Sequence, residues 1–156
     1  MKKILLGFVA GMAVTASGMW LVMPKMMIHE HESPLGYEET IAKIKSNIDG
    51  TKWEISSVGI LDKKLKKKYD KTIPATTLIN FCHPEYATAV LNDADAQKIS
   101  IMMPCTIAVY KKPNGKTYVS TMNMTLMGKM FGGKIAEVMG GAVADEEKDF
   151  TTFLHK

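Results

Sequence analysis

The order of apolar and polar residues predicts a strand at the start of the globular part of the chain. The stretch "MMIHEHES", which begins at Met26, alternates as a strand does. Its two faces carry Ile28, Glu30 and Glu32, and Met27, His29 and His31, respectively. The strand places two imidazoles side by side, which suits a divalent ion, although two ligands alone do not make a site.

The next elements follow from apolar spacing and from turn residues. Ser33-Pro34 begins a helix whose apolar positions recur at helical spacing until Asp49-Gly50 ends it. "KWEISSVGIL" predicts a strand, and residues 61–69 predict a short basic helix. "ATTLINFC" predicts a more apolar strand that suits the centre of a sheet.

The second half of the chain continues this alternation. Pro84 opens a further helix, "PEYATAVLND", and "ISIMMPCTIAVYKK" predicts a strand that Pro104 interrupts, because proline cannot donate to a ladder. "KPNGK" predicts a hairpin turn that leads into the strand "TYVSTMNM". Residues 125–144 predict a helix whose glycines indicate a break or close packing near residues 132–133.

This order of elements predicts one α+β domain over residues 26–156. Strands and helices are mixed, with at least one hairpin, which is typical of a two-layer sandwich. In such a sandwich the helices cover one face of a mixed, largely antiparallel sheet.

Residues 1–25 predict a membrane anchor ahead of this domain. Residues 4–23 carry no charge, and as a helix they would span the hydrocarbon core of a bilayer. Lys2 and Lys3 would stay in the cytoplasm, so the domain would lie on the extracytoplasmic side of the cytoplasmic or inner membrane. The alternative is a signal peptide that is cleaved after Ala16.

The charge of the chain argues against nucleic acid as a partner. The net charge is +4, and all 20 basic residues are lysines. Bidentate recognition of phosphate relies on arginine, which this sequence lacks.

Export changes the interpretation of the two cysteines, Cys82 and Cys105. In an oxidising compartment they can form a disulfide, whereas a reduced pair there indicates a soft metal or a redox role. Topology decides whether the thiols can meet: parallel strands would separate them by a strand length, and antiparallel strands can bring them together.

Several motifs resemble the domain-of-unknown-function 302 family. They are "NFCHP" with the following helix "EYATAVL", then "MMPCTIAVY", "YVSTMNMTLM" and the opening "SPLGYEETIAKIKSNIDGTKWEI". The resemblance covers about residues 26–145. It implies a compact α+β fold and a homodimer, and the family name assigns no activity. The methionine-rich stretch after residue 121 resembles the membrane-anchored or exported members.

No enzyme signature stands out. Cys82 and His83 are consecutive, and consecutive residues of a strand project to opposite faces, which disfavours a nucleophile and base. His155 lies in a tail that we expect to fray. The sequence also lacks a nucleophile elbow, a phosphate loop and a dinucleotide fingerprint. An enzyme that uses the Cys82 thiol stays open as a third class of function.

The strongest chemical signal is a group of soft ligands. Cys82, His83 and Cys105 are the candidate metal ligands, and copper(I) is the ion that cysteine and methionine prefer. Haem is the other candidate cofactor, held by an imidazole with a methionine on its far side. The candidate cofactor-binding residues are His83, Met122, Met124 and Met127.

The sequence therefore predicts a membrane-anchored, extracytoplasmic protein that binds copper or haem. A lone histidine after a strand is commonly a capping or surface residue, and methionine packs irregular cores well. The alternative is accordingly a homodimeric interaction module without a cofactor, in which the same cysteines and methionines belong to the core.

Overall fold

The computed structural model describes residues 11–12, 15, 17–18, 22–23 and 25–155. Most of the membrane anchor that the sequence predicts over residues 4–23 lies outside these residues. Among the residues that are described, no helix is both long enough and apolar enough to cross a bilayer.

One antiparallel sheet forms the centre of the described part of the chain. Its strands are β1 Ile28–Glu32, β2 Glu54–Ile60, β3 Thr76–Cys82, β4 Cys105–Lys111 and β5 Thr117–Met122. They lie in the order β1-β5-β4-β3-β2, and every neighbouring pair is antiparallel. The predicted α+β class is confirmed, and the sheet is wholly antiparallel rather than mixed. The segment that links β3 to β4 begins and ends at the same end of the sheet. Strand β4 therefore runs antiparallel beside β3.

Helices follow the strands in nearly the predicted order. The α-helices are α1 Tyr37–Ile48, α2 Leu61–Tyr69, α3 Pro84–Leu91, α4 Met124–Phe131, α5 Gly133–Glu137 and α6 Ala144–Phe150. The described part of the chain also contains two 3₁₀ turns, Gln97–Met102 and Thr152–His155, and one π-helical segment, Val138–Val143. The α1 helix ends at Asp49-Gly50 as predicted, with Gly50 at a φ of 78°.

The helices cover one face of the sheet and bury its alternating side chains. The side chains of β3 and β4 on this face point towards the helices and are fully buried: Ile79, Phe81, Ile107 and Val109. The core residues of α1 and α6 that complete the layer are Ile44, Ile48 and Phe150. Each such side chain contributes about 1.5–3 kcal/mol by leaving water.

The other face of the sheet is polar and half-exposed. Lys112 Nζ lies 2.6 Å from Glu30 Oε2, and Tyr110 donates a hydrogen bond to the same carboxylate. Lys116 Nζ lies 2.7 Å from Glu32 Oε1. These ion pairs are exposed, so they contribute little to stability and mainly keep this face soluble.

Two segments differ from the sequence prediction. The strand predicted to begin at Ile99 begins only at Cys105, as β4, because residues 97–102 form a 3₁₀ turn. Pro104 has no N–H for the ladder, so pairing cannot extend towards the N-terminus through it. The tail that was expected to fray is ordered instead, since α6 buries Phe150 and the last 3₁₀ turn packs beside it.

Candidate functional site

The strand register brings the two cysteines together at one end of the sheet. Cys82 ends β3, and Cys105 begins β4 opposite Phe81, so the two cysteines are diagonal neighbours. Both thiols are free in this structure. They line one cavity of about 10 Å³, here called the thiol cavity, whose other lining residues are Trp53, His83, Tyr86, Ala87, Met103, Met139 and Val143. That volume suffices for about one water molecule or one bare ion.

His83 is held firmly against this cavity. It is the N-cap residue of α3, yet it is only 3% exposed and its side chain makes no capping bond. Its ring stacks on Tyr86 at 4.1 Å and meets Trp53 edge-on at 5.3 Å. Its Nδ1 atom is buried without a hydrogen-bond partner. A buried nitrogen in that state is costly unless a ligand occupies it.

A carboxylate on α6 fixes the aromatic wall of the thiol cavity. Trp53 Nε1 donates a 2.7 Å hydrogen bond to Glu146 Oε2, and the Tyr86 hydroxyl donates to Oε1 of the same group. The Tyr86 hydrogen bond is the main reason that the pKa of Glu146 is lowered. Through this carboxylate α6 is tied to α3 and to the segment before β2, which orients the His83 ring.

The surroundings of the thiols do not suit a nucleophile. Burial raises the pKa of Cys105 to about 12, and the nearby charges of Glu147 and Cys82 add to the effect. Burial also raises the pKa of Cys82. A reactive thiol needs a lowered pKa, so this environment argues against an enzyme that uses Cys82.

The predicted methionine ligands lie away from the thiols. Met122 and Met124 line a second cavity of about 60 Å³, here called the histidine cleft, and Met127 is half-buried outside both cavities. Met124 is in the core at 3% exposure, whereas Met122 is 36% exposed. The predicted cluster therefore falls into two groups. The reason is that β5 pairs with β4 and β1, which carries its end away from Cys82.

Three histidines and one buried acid share the histidine cleft. His29 and His31 lie on one face of β1, as the alternation predicted, with ring centroids 6.4 Å apart. The His155 ring, from the last 3₁₀ turn, lies 4.4 Å from that of His31. Glu147 on α6 is 6% exposed, and its Oε1 atom has no hydrogen-bond partner.

As the side chains stand, metal coordination is incomplete. In the described ranges no three His, Cys, Asp or Glu side chains form a group that could hold a metal ion. Sequence reasoning missed Trp53, Tyr86, Met139, Glu146 and Glu147, because tertiary packing alone brings them to the two cavities. The alternation of "HEHES" was the one sequence signal for the histidine cleft. No sequence pattern indicated that His155 would join it.

Comparison with known proteins gives a family and a fold. A family model described as domain of unknown function DUF302 matches residues 29–150. The crystal structure of the uncharacterized conserved protein DUF302 from Bacillus stearothermophilus superposes with a TM-score of 0.67. It is 23% identical and covers 83% of this chain and 97% of its own. No curated protein shows significant similarity.

Proposed function

This chain belongs to the family of domain of unknown function DUF302, and we propose that this member binds copper(I) through the thiols of Cys82 and Cys105. His83 and the thioether of Met103 or Met139 are the further donors that a local side-chain rotation would bring to the ion, because Cys82, His83 and Cys105 do not form a three-ligand group as they stand. The proposal takes the ligand types that the sequence indicated and restricts them to those that line the thiol cavity.

The single observation that carries the proposal is the lining of this cavity. Two thiols, a buried imidazole nitrogen without a partner and two thioethers meet in a space of about 10 Å³. Cysteine and methionine are the donors that select copper(I). Zinc requires about four donors in a tetrahedron, more than the two thiols and one imidazole nitrogen of this cavity supply. Copper(I) accepts fewer and softer donors, so it suits this set better.

The geometry favours a metal ion over haem. A pocket that buries a drug-sized ligand has a volume of about 300–1,000 Å³, far above that of the thiol cavity. The His83 ring is also buried, with Tyr86 stacked on it and Trp53 at its edge. Haem ligation at this histidine would require both aromatic rings to move.

Metal binding must displace protons from these thiols. Copper binds the thiolate, and the raised pKa values of Cys82 and Cys105 keep both groups protonated in the free protein. The affinity for copper(I) should consequently rise with pH. The predicted membrane anchor, which we retain in this proposal, would place the site in the extracytoplasmic compartment.

A competition titration tests this proposal. We expect full-length protein, reduced and anaerobic in mild detergent, to take up one copper(I) from a chromophoric chelator. In Cys105→Ser and in Cys82→Ser the affinity should fall at least tenfold, which corresponds to about 1.4 kcal/mol. Stoichiometric copper(I) binding by the double variant Cys82→Ser/Cys105→Ser would refute the site.

A methionine pair provides the matched control for folding. Met103→Leu removes a thioether from the thiol cavity, whereas Met130→Leu changes a 54% exposed methionine on α4. Both changes conserve apolar volume, so stability should change little in either variant. Only Met103→Leu should weaken copper(I) binding; equal affinities in the two variants would remove Met103 from the proposed ligand set.

The second candidate function is homodimeric assembly. Ile28 on the edge strand β1 is 57% exposed, and its cross-strand neighbour Met122 is 36% exposed. An edge strand with exposed apolar side chains is a natural place for pairing with another chain. Light scattering of the full-length protein and of Ile28→Lys distinguishes this function, because only a dimer through β1 would dissociate in the variant.

A further inference from the structure

The histidine cleft combines features that the thiol cavity lacks. Its donors are imidazoles and a carboxylate, which suit borderline divalent ions rather than copper(I). It lies at the other side of the covered face of the sheet, between β1, the end of β5 and α6. We propose that it is a second metal site, which binds a divalent transition-metal ion through His29, His31 and His155.

The three rings lie close enough together to reach one ion after a change of rotamer. In a histidine complex with a metal–nitrogen distance of about 2.0–2.1 Å, each ring centroid lies about 3.2 Å from the ion, so two rings on a tetrahedral ion have centroids about 5.2 Å apart. The observed separations are 4.4 Å for His31 and His155, and 6.4 Å for His29 and His31. Each pair therefore needs to shift by about 1 Å to share an ion.

A second observation points independently to a cation. Glu147 is among the residues that line the histidine cleft, is only 6% exposed and leaves Oε1 unpaired. An unpaired buried carboxyl is unfavourable by itself, and a bound cation would give it a partner. The cation in the same cleft, Lys148, is engaged elsewhere, since its Nζ lies 2.9 Å from Asp145 Oδ1.

The rings need only a local rotation to close around the ion. His29 and His155 are exposed, whereas His31 is half-buried between them. Exposed imidazoles change rotamer on a fast timescale without disturbing the core. This freedom distinguishes the histidine cleft from the thiol cavity, where His83 and Cys105 are both buried.

Cobalt(II) absorption of the full-length protein, stripped of metal and with reduced thiols, tests the second site. We expect visible bands typical of nitrogen and oxygen ligands, and competition by Zn²⁺. His31→Gln and His155→Gln should each weaken Co²⁺ binding at least tenfold, the loss that removal of one ligand commonly causes. His155 is exposed and close to the chain end, so its variant keeps the fold.

Met130→Leu, at a 54% exposed position outside both cavities, serves as the control, and its Co²⁺ affinity should equal that of the parent. Intense near-ultraviolet absorption from thiolate–cobalt charge transfer would overturn the inference, because the ion would then occupy the thiol cavity. Equal Co²⁺ affinity of the parent and of His155→Gln, or no spectrum in excess Co²⁺, would overturn it as well. These results leave the copper(I) titration unaffected, so the two proposals fail separately.

Discussion

Replacing Gly128 by alanine is expected to lower the free energy of unfolding by about 3 kcal/mol or more. A Cβ atom at this position would lie 2.5 Å from both Cα and N of Gly140, and 3.4 Å from Cα of Ala136. These are backbone atoms, so no side-chain rotation relieves the overlap. Helix α4 and the π-helical segment would have to separate, which also displaces Met139 from the thiol cavity.

Alanine substitutions at two nearby glycines, Gly140 and Gly141, provide comparisons for this prediction. At Gly140 a Cβ atom would lie 3.2 Å from Cα of Gly128, so alanine there should be tolerated less well than at an open site. At Gly141 a Cβ atom meets nothing within 4 Å, and alanine should be neutral or stabilise the helix by up to about 1 kcal/mol. Urea unfolding monitored by tryptophan fluorescence gives the three values. Similar losses for Gly128→Ala and Gly141→Ala would contradict the close approach.

The fold was largely predictable because local rules and tertiary packing agree over most of the chain. Alternation predicted β1, apolar spacing predicted α1, and Asn114-Gly115 predicted the β4–β5 hairpin. The helix break near residues 132–133 was also predicted, and Gly132 and Gly133 adopt positive φ there. The predicted strand was wrong over residues 99–104, since a short apolar run before a proline is compatible with a strand and with a 3₁₀ turn alike.

The candidate site was predictable in its ligand types and only partly in its grouping. Cys82, His83 and Cys105 meet because β3 and β4 are sequential antiparallel neighbours. The methionines after β5 were assigned to the same cluster because of their proximity in sequence. The pairing of β5 with β1 places Met122 and Met124 beside His29 and His31 instead, and strand order of that kind is not encoded locally.

Glu147 connects the two cavities electrostatically. The residue lines the histidine cleft, and its charge contributes to the raised pKa of Cys105 in the thiol cavity. Ionisation of Glu147 would therefore hinder loss of the Cys105 proton. A cation in the histidine cleft would offset that charge, so a divalent ion there is expected to favour copper(I) binding at the thiols.

Glu147 should make the metal-free protein less stable as the pH rises from 5 to 8. Burial raises the pKa of this carboxyl from its usual 4.5 to about 7. Between these values the folded state keeps a proton that the unfolded state has lost, so the free energy of unfolding falls with increasing pH. The expected loss is up to about 3 kcal/mol and is nearly complete at pH 8.

The variant Glu147→Gln isolates this effect from other titrations. Its stability relative to the parent should increase from pH 5 to pH 8, because glutamine does not ionise. The groups around Glu147 are His31, His155, Lys148 and Cys105, and the lowered pKa of His31, caused mainly by burial, gives the opposite slope at acidic pH. Subtracting the parent's free energy of unfolding from that of the variant removes the His31 contribution, which the mutation is expected to leave unchanged.

The adjacent Glu146 supplies a control of opposite sign. Its pKa is lowered, chiefly by the Tyr86 hydrogen bond, so the stability that it contributes is present above its usual pKa and is lost as the pH falls below it. Glu146→Gln should consequently change the slope at acidic pH and leave the slope between pH 6 and 8 intact. Denaturant unfolding with chelator and reductant present measures both variants. If Glu147→Gln retained the parent's slope from pH 6 to 8, the carboxyl group would not titrate in this range in the folded protein, and the prediction would be wrong.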